Sequence, residues 1–175
     1  MATLYLPKEK KTIEDFEQIK SFLNQHGVLH ERWVAAAKLE DDSTQDQILA
    51  AYANTLKPYM AKNGYVTADV INVHENTPNL LAIRQKFLPE HTHSEDEVRF
   101  FVDGEGIFWF NFGTEVAALT CRAGDLISVP AGYKHWFDLG PKAFVKAIRI
   151  FIDPTGWVAN YTGSGVDATY NPKYD

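Results

Sequence analysis

Apolar positions along this 175-residue chain change period near Gly64, and the change divides the chain into two styles of structure. In the first stretch Ile13, Phe16, Ile19, Phe22 and Leu23 recur at helical spacing until Gly27, behind a weak capping pair, Thr12 and Asp15. A second helix opens on a capping box, Thr44 with Gln47, and carries Ile48, Tyr52, Leu56 and Tyr59 on one face. Pro58 interrupts that pattern and predicts a kink or an early end, and Gly64 closes the segment. Between the helices Val28 to Val34 reads as a strand.

Beyond Gly64 the pattern is that of short strands. Val66 to Val73, Leu80 to Phe87, Val98 to Val102, Ile107 to Phe112, Val116 to Thr120, Asp125 to Val129, His135 to Asp138 and Phe144 to Ile152 are separated by glycine- and proline-bearing turns. Asp103-Gly104-Glu105-Gly106 carries the Asp-Gly signature of a tight hairpin turn. Such a series predicts a mainly β sandwich or barrel with helices added at its N-terminal side. The tail after Pro154, with Tyr161 to Val166 and Asn171-Pro172-Lys173, is polar and predicts loop or mobile chain. No repeat or linker divides the sequence. A single domain is expected over 1–175, with an N-terminal elaboration over about 1–79, a barrel core over about 80–153 and a tail over 154–175.

Composition narrows the function. Hydrophobic residues at 45% and aromatics at 13% belong to a packed protein. A net charge of −6 argues against nucleic acid or an anionic membrane as partner. The single Cys121 excludes an internal disulfide and suits a reducing compartment, and the charged run after Pro7 is unlike a signal peptide. A soluble, cytoplasmic protein is expected, and a monomer.

The chemistry concentrates in two segments. His91-Thr92-His93-Ser94-Glu95-Asp96-Glu97 is followed by Pro130-Ala131-Gly132-Tyr133-Lys134-His135, and together they hold half of the six histidines. His91, His93, Glu97 and Arg99 are odd-numbered, so an extended strand would turn them to one face. Three neutral imidazoles and a carboxylate suit a divalent transition metal with open coordination positions; a closed zinc site would favour thiolates, which are lacking. The competing reading is a set of unrelated polar turns, which the joint spacing disfavours.

The spacing also resembles the paired motifs of the cupin superfamily, jelly-roll barrels whose first motif holds two His and a Glu and whose second holds the third His. Glu97 precedes Gly104 by the expected gap, and Gly124 precedes Pro130 and Gly132; Gln85 departs, standing where those barrels usually carry glycine. Within the cupins, His91 to Phe108 and Ala123 to Asp138 resemble acireductone dioxygenase, along most of the chain. That resemblance implies a cupin barrel with N-terminal helices and one Fe2+ or Ni2+ per chain, held by His91, His93, Glu97 and His135. It implies a step of methionine salvage, in which O2 cleaves 1,2-dihydroxy-5-(methylthio)pent-1-en-3-one. Iron gives formate and 4-methylthio-2-oxobutanoate; nickel gives formate, carbon monoxide and 3-methylthiopropanoate.

Arg99, two residues past Glu97, is the expected catalytic residue, a fixed guanidinium that balances the anionic substrate. Its competing role is a structural ion pair. Arg149, in an apolar strand, either reaches the pocket or pairs with an acid. Phe87, Phe100, Trp109, Phe137 and Trp157 are pocket candidates, with core packing the alternative for each. Cys121 reads as core, His26, His30 and His74 as surface or capping residues, and Glu95 and Asp96 as a solvated loop face. Another metal-dependent cupin enzyme, such as a different dioxygenase or a sugar-phosphate isomerase, and a non-catalytic ligand-binding cupin are the alternative functions.

Overall fold

The structure, a computed structural model, describes residues 1–171; the Pro172-Lys173 end of the predicted tail lies outside them. Two short strands, β1 (Thr3–Leu6) and β2 (Lys11–Ile13), lead into α1 (Phe16–Gln25), whose first turn is capped by the Asp15 carboxylate. Strand β3 (Leu29–Arg32) precedes α2 (Gln45–Asn63), which opens on the predicted Thr44–Gln47 capping box. Pro58 neither ends nor shortens α2, which runs on to Asn63 and closes on left-handed Gly64. Strand β4 (Thr67–Val73) follows.

Leu80 to Phe87 is a helix, α3, and not the strand expected. A short apolar run fits either period, and tertiary packing decides: Leu80, Ile83 and Phe87 lie at helical spacing against the main core, while Arg84 is buried and donates to the Gly140 carbonyl (2.8 Å). The remaining strands are β5 (His91–Thr92), β6 (Glu97–Asn111), β7 (Val116–Arg122), β8 (Asp125–Val129), β9 (His135–Asp138), β10 (Val145–Phe151) and β11 (Asn160–Tyr161).

All described strand pairs are antiparallel and form two sheets that share β6. One sheet runs β11-β5-β9-β6-β7-β1-β2, and the other runs β4-β10-β6-β8-β3. Strands from the first seventy-nine residues therefore edge both sheets.

The expected hairpin at Asp103–Gly106 is instead the middle of one 15-residue strand. Its first half pairs with β8 and β10, its second with β7 and β9. Along β10, Lys146 faces Asp103 and Ala147 faces Phe101, so Val102 is an extra residue and the strand bulges there. Gly104 has φ +73, and a Cβ on it would lie 2.2 Å from the Phe144 carbonyl oxygen. A turn and a bulge both call for positive φ, which is why the Asp-Gly signal could not separate them.

The bulge also flips the alternation of faces. Before it Phe101 enters the core between the sheets and Phe100 faces out; after it Phe108 and Phe110 enter and Trp109 faces out. The inner core joins these residues to Leu4, Leu23, Leu119 and Ile127. A second core seals α2 to the outer face of the β4-β10-β6-β8-β3 sheet through Tyr52, Leu56, Phe100, Leu126 and Ile148. The tail is built, not loose: β11 pairs with β5, and Tyr170 packs on Trp109 and Trp136. No helix among the described residues is long and apolar enough to cross a membrane.

Candidate metal centre

His91, His93 and His135 converge at one mouth of the barrel, all buried, with ligand nitrogens within 4.8 Å of one another. Cross-strand pairing of β5 with β9 sets His91 directly opposite His135. His93 lies just past β5, where its carbonyl accepts from Gly132 N (2.9 Å) and so ties the two motifs together. Glu97 opens β6 opposite Val129. The chain is not extended between His93 and Glu97, so strand alternation explains only the shared face of Glu97 and Arg99. The loop over 94–96 brings the histidines to that face.

Each imidazole is oriented by the backbone. Nδ1 of His91 donates to the Pro89 carbonyl (2.7 Å), that of His93 to Val158 (3.1 Å) and that of His135 to Tyr133 (2.8 Å). A carbonyl can only accept, so the proton sits on Nδ1 and the Nε2 lone pair of each neutral ring points inward. Glu97 Oε2 then lies 2.7 Å from His135 Nε2 and 3.3 Å from His93 Nε2. Lone pairs facing a carboxylate at such distances require a cation between them, either protons or a metal ion. Burial, reinforced by the His135 charge, pushes His91 down to about 4, which keeps its ring neutral. Burial alone would also lower His93, but the hydrogen bond and charge of Glu97 outweigh it and raise its pKa. Burial opposes ionisation of Glu97, yet bonds from His135 and His93 and the charge of Arg99 hold it well below the ordinary range. Three neutral nitrogens and one fixed carboxylate can hold one divalent ion, with the carbonyl bonds that orient the rings already in place.

The buried Arg99 donates from Nη2 to Glu97 Oε1 (3.0 Å), and its Nε has no partner among the described residues. It borders a cavity of about 320 Å³ whose wall includes Ile71, Val73, Ile83, Phe87, Phe137, Leu139, Arg149, Trp157 and Val158. Rings join this cavity to the histidines: Phe87 lies 6.5 Å from His91, and Trp157 6.3 Å from His93. Neither this cavity nor a larger concavity of about 710 Å³, near His26, Phe112 and Tyr170, is walled by the four candidate ligands themselves; the smaller one is set apart by Arg99, which bonds Glu97.

Of the pocket candidates, Phe87, Phe137, Arg149 and Trp157 line the cavity, whereas Phe100 and Trp109 do not. Phe100, an even position before the bulge, packs on Trp33 and Tyr52; Trp109, an odd position after it, stacks on Trp136. Arg149 fills both roles weighed for it, since it also pairs with Asp69 (Nε–Oδ1 2.7 Å).

Other expectations need correction. His30 is buried against Asp125 (3.2 Å) and is not a surface residue, and Asp125 also accepts from Arg122 N (2.8 Å). His26, by contrast, is the capping residue expected: it ends α1, stacks on Phe112 and pairs with Glu115 (3.3 Å). Glu95 and Asp96 are half-buried: Glu95 accepts from Asp153 N, and Asp96 from Ala131 N and the Tyr65 hydroxyl. Cys121 is core, its thiol pushed well up by burial. Sequence reasoning missed Asp69 and Glu90. Glu90, buried beside His91, accepts from Asn111, Thr162 and Ser164 and anchors the tail. A lone acid amid Ala68 and Val70 was the available signal for Asp69.

Comparison with known proteins places this geometry. The sequence model of the ARD/ARD' family matches residues 3–159. The chain belongs to the acireductone dioxygenase family. It is 57% identical to an acireductone dioxygenase of Picosynechococcus over 97% of both chains, and 47% identical to one of Marinobacter nauticus over 97% of this chain and 91% of that one. The fold is similar to a solved acireductone dioxygenase from Bacillus anthracis with a cadmium ion in its active centre. The TM-score is 0.83 at 35% identity, covering 92% of this chain and 98% of that one. The architecture is thus the cupin barrel with N-terminal helices that the motifs implied.

Proposed function

We propose that this chain is an acireductone dioxygenase of methionine salvage, with one Fe2+ or Ni2+ held by His91, His93, Glu97 and His135. Its substrates are then 1,2-dihydroxy-5-(methylthio)pent-1-en-3-one and O2. The observation that carries this reading is the convergence of three inward Nε2 lone pairs and an ionised carboxylate beside an apolar cavity that holds a buried guanidinium.

A dication bound by this donor set supplies a Lewis acid and a template for the two ene-diol oxygens. The protein supplies the rest. Backbone carbonyls on each Nδ1 keep the imidazoles aimed, with Nε2 turned inward. Arg99 is locked by Glu97 and flanked by the rings of Phe137 and Trp157, so its free Nε offers a fixed donor to the anionic substrate without reorganisation. Val73, Ile83 and Leu139 suit a thioether tail, which makes no hydrogen-bond demand. Trp157 and Val158, brought over by the tail, limit water at the reacting carbons.

The test is oxygen uptake on adding the ene-diol to protein reconstituted anaerobically with Fe2+ or with Ni2+. Formate and 4-methylthio-2-oxobutanoate are expected with iron; formate, carbon monoxide and 3-methylthiopropanoate with nickel. No oxygen uptake by protein fully loaded with iron would remove this reading.

A further inference from the structure

Across three neighbouring strands the cavity wall carries a ladder of charge. Arg149 on β10 stands directly opposite Asp69 on β4 and directly opposite Arg99 on β6. Cross-strand partners project from the same face of a sheet, so two guanidiniums lie side by side on the wall, with Glu97 engaging one and Asp69 the other. Like charges so placed repel unless each is compensated, and both faces of the ladder are.

The compensation is unequal in kind. Glu97 takes one edge of Arg99 and also lies among the imidazoles. Asp69 grips Arg149 by a two-point fork, Nε to Oδ1 and Nη2 to Oδ2, which fixes the plane of the guanidinium. Both Arg149 and Asp69 are about one-third exposed, so Arg149 borders solvent and this fork is the ion pair that holds it against the wall. Held by it, Arg149 stays over the rings of Phe151 and Trp157 with Nη1 not engaged by Asp69.

We propose that Asp69 is a positioning residue for substrate binding: its fork keeps Arg149 in the cavity wall as a second cation for an ene-diolate anion. This rests on reading the cavity as the ene-diol site. Asp69 touches neither the substrate nor the metal ligands. Its contribution belongs to binding, because the Arg149 charge faces substrate and transition state alike.

The experiment compares Asp69→Asn and Asp69→Glu with wild type in the metal-loaded full chain. KM and kcat for the acireductone are measured alongside anaerobic binding of reductic acid, a cyclic ene-diol, by tryptophan fluorescence. Asp69→Asn should raise KM and the reductic acid Kd about tenfold, the scale of one charge-assisted contact, with kcat within about twofold and metal content unchanged. Asp69→Glu should recover part of the loss. Arg149→Lys, which keeps the charge but not the fork, should repeat the rise in Kd, and it serves if Asp69→Asn fails to fold. Unchanged KM and Kd in Asp69→Asn or Arg149→Lys would overturn the proposal, as would a joint loss of metal and kcat that Asp69→Glu does not restore. A wild type that binds reductic acid in an Asp69-dependent way yet consumes no oxygen with acireductone would support the cation pair and remove the dioxygenase reading.

Discussion

At the scale of single residues, function rests on donors that the backbone has already oriented. His93 is the most exposed to test, since its Nδ1 bond runs to Val158 in the tail and its Nε2 faces Glu97. His93→Ala should lower metal affinity well over about tenfold, since losing only a supporting partner already costs roughly 10–100-fold. Elemental analysis after dialysis reads this directly, and wild-type metal content would refute the ligand set. Asp125 tests the opposite end of the barrel. Burial would raise its pKa, but bonds from His30 and Arg122 N lower it. A depressed folded value means stability that is present above the unfolded pKa of about 3.9 and lost as pH falls through the lower folded value. Urea midpoints should therefore fall below about pH 4 in wild type and respond less in Asp125→Asn. An equal acid response in both would show that Asp125 does not carry it.

At the scale of elements, β6 decides where side chains point. Its bulge at Val102 lets odd positions face inward before Gly104 and even positions after it. Gly104→Val should be strongly destabilising, because a Cβ meets the Phe144 carbonyl and the backbone is left-handed. Strain of this kind costs about 1–3 kcal/mol, before the steric clash is counted. Thr44→Ala at the exposed start of α2 should cost only about 1 kcal/mol. Thermal melting ranks the two, and an equal loss would mean that the bulge is not rigid. The helix caps and most strands were legible because capping boxes and alternation are local signals. Val102 gave no such signal, and Leu80 to Phe87 satisfied both periods until the core chose one.

For the whole molecule, site and tail are one unit. Glu90, beside His91, holds the tail that supplies Val158 to His93 and Trp157 to the cavity. Metal binding should therefore raise the melting temperature of the full chain, and EDTA should lower it, because an ion held only by the native state stabilises that state. Acid competes for the same nitrogens. A bound ion competes with the proton for each imidazole, so metal loss is expected below roughly pH 6, under the ordinary imidazole value of about 6.5. The neutral His91, down at about 4, delays full release. Full metal retention at pH 4 would count against a histidine-dominated centre.

The ligand types, their two motifs, the position of Arg99 and the mainly β character were determined by the sequence itself, because each depends on residue identity or on neighbours a few positions away. The single face shared by His91, His93, Glu97 and His135 was decided by the pairing of β5 with β9 and by the tie between His93 and Gly132. The same holds for which aromatics reach the cavity. A one-residue bulge inverts every side chain beyond it on β6, so Phe108 turns in, with Phe137 opposite it on β9, while Trp109 turns out. The partners of Arg149 and His30 lie 80 and 95 residues away, and separations of that length are set only when the strands close into a barrel.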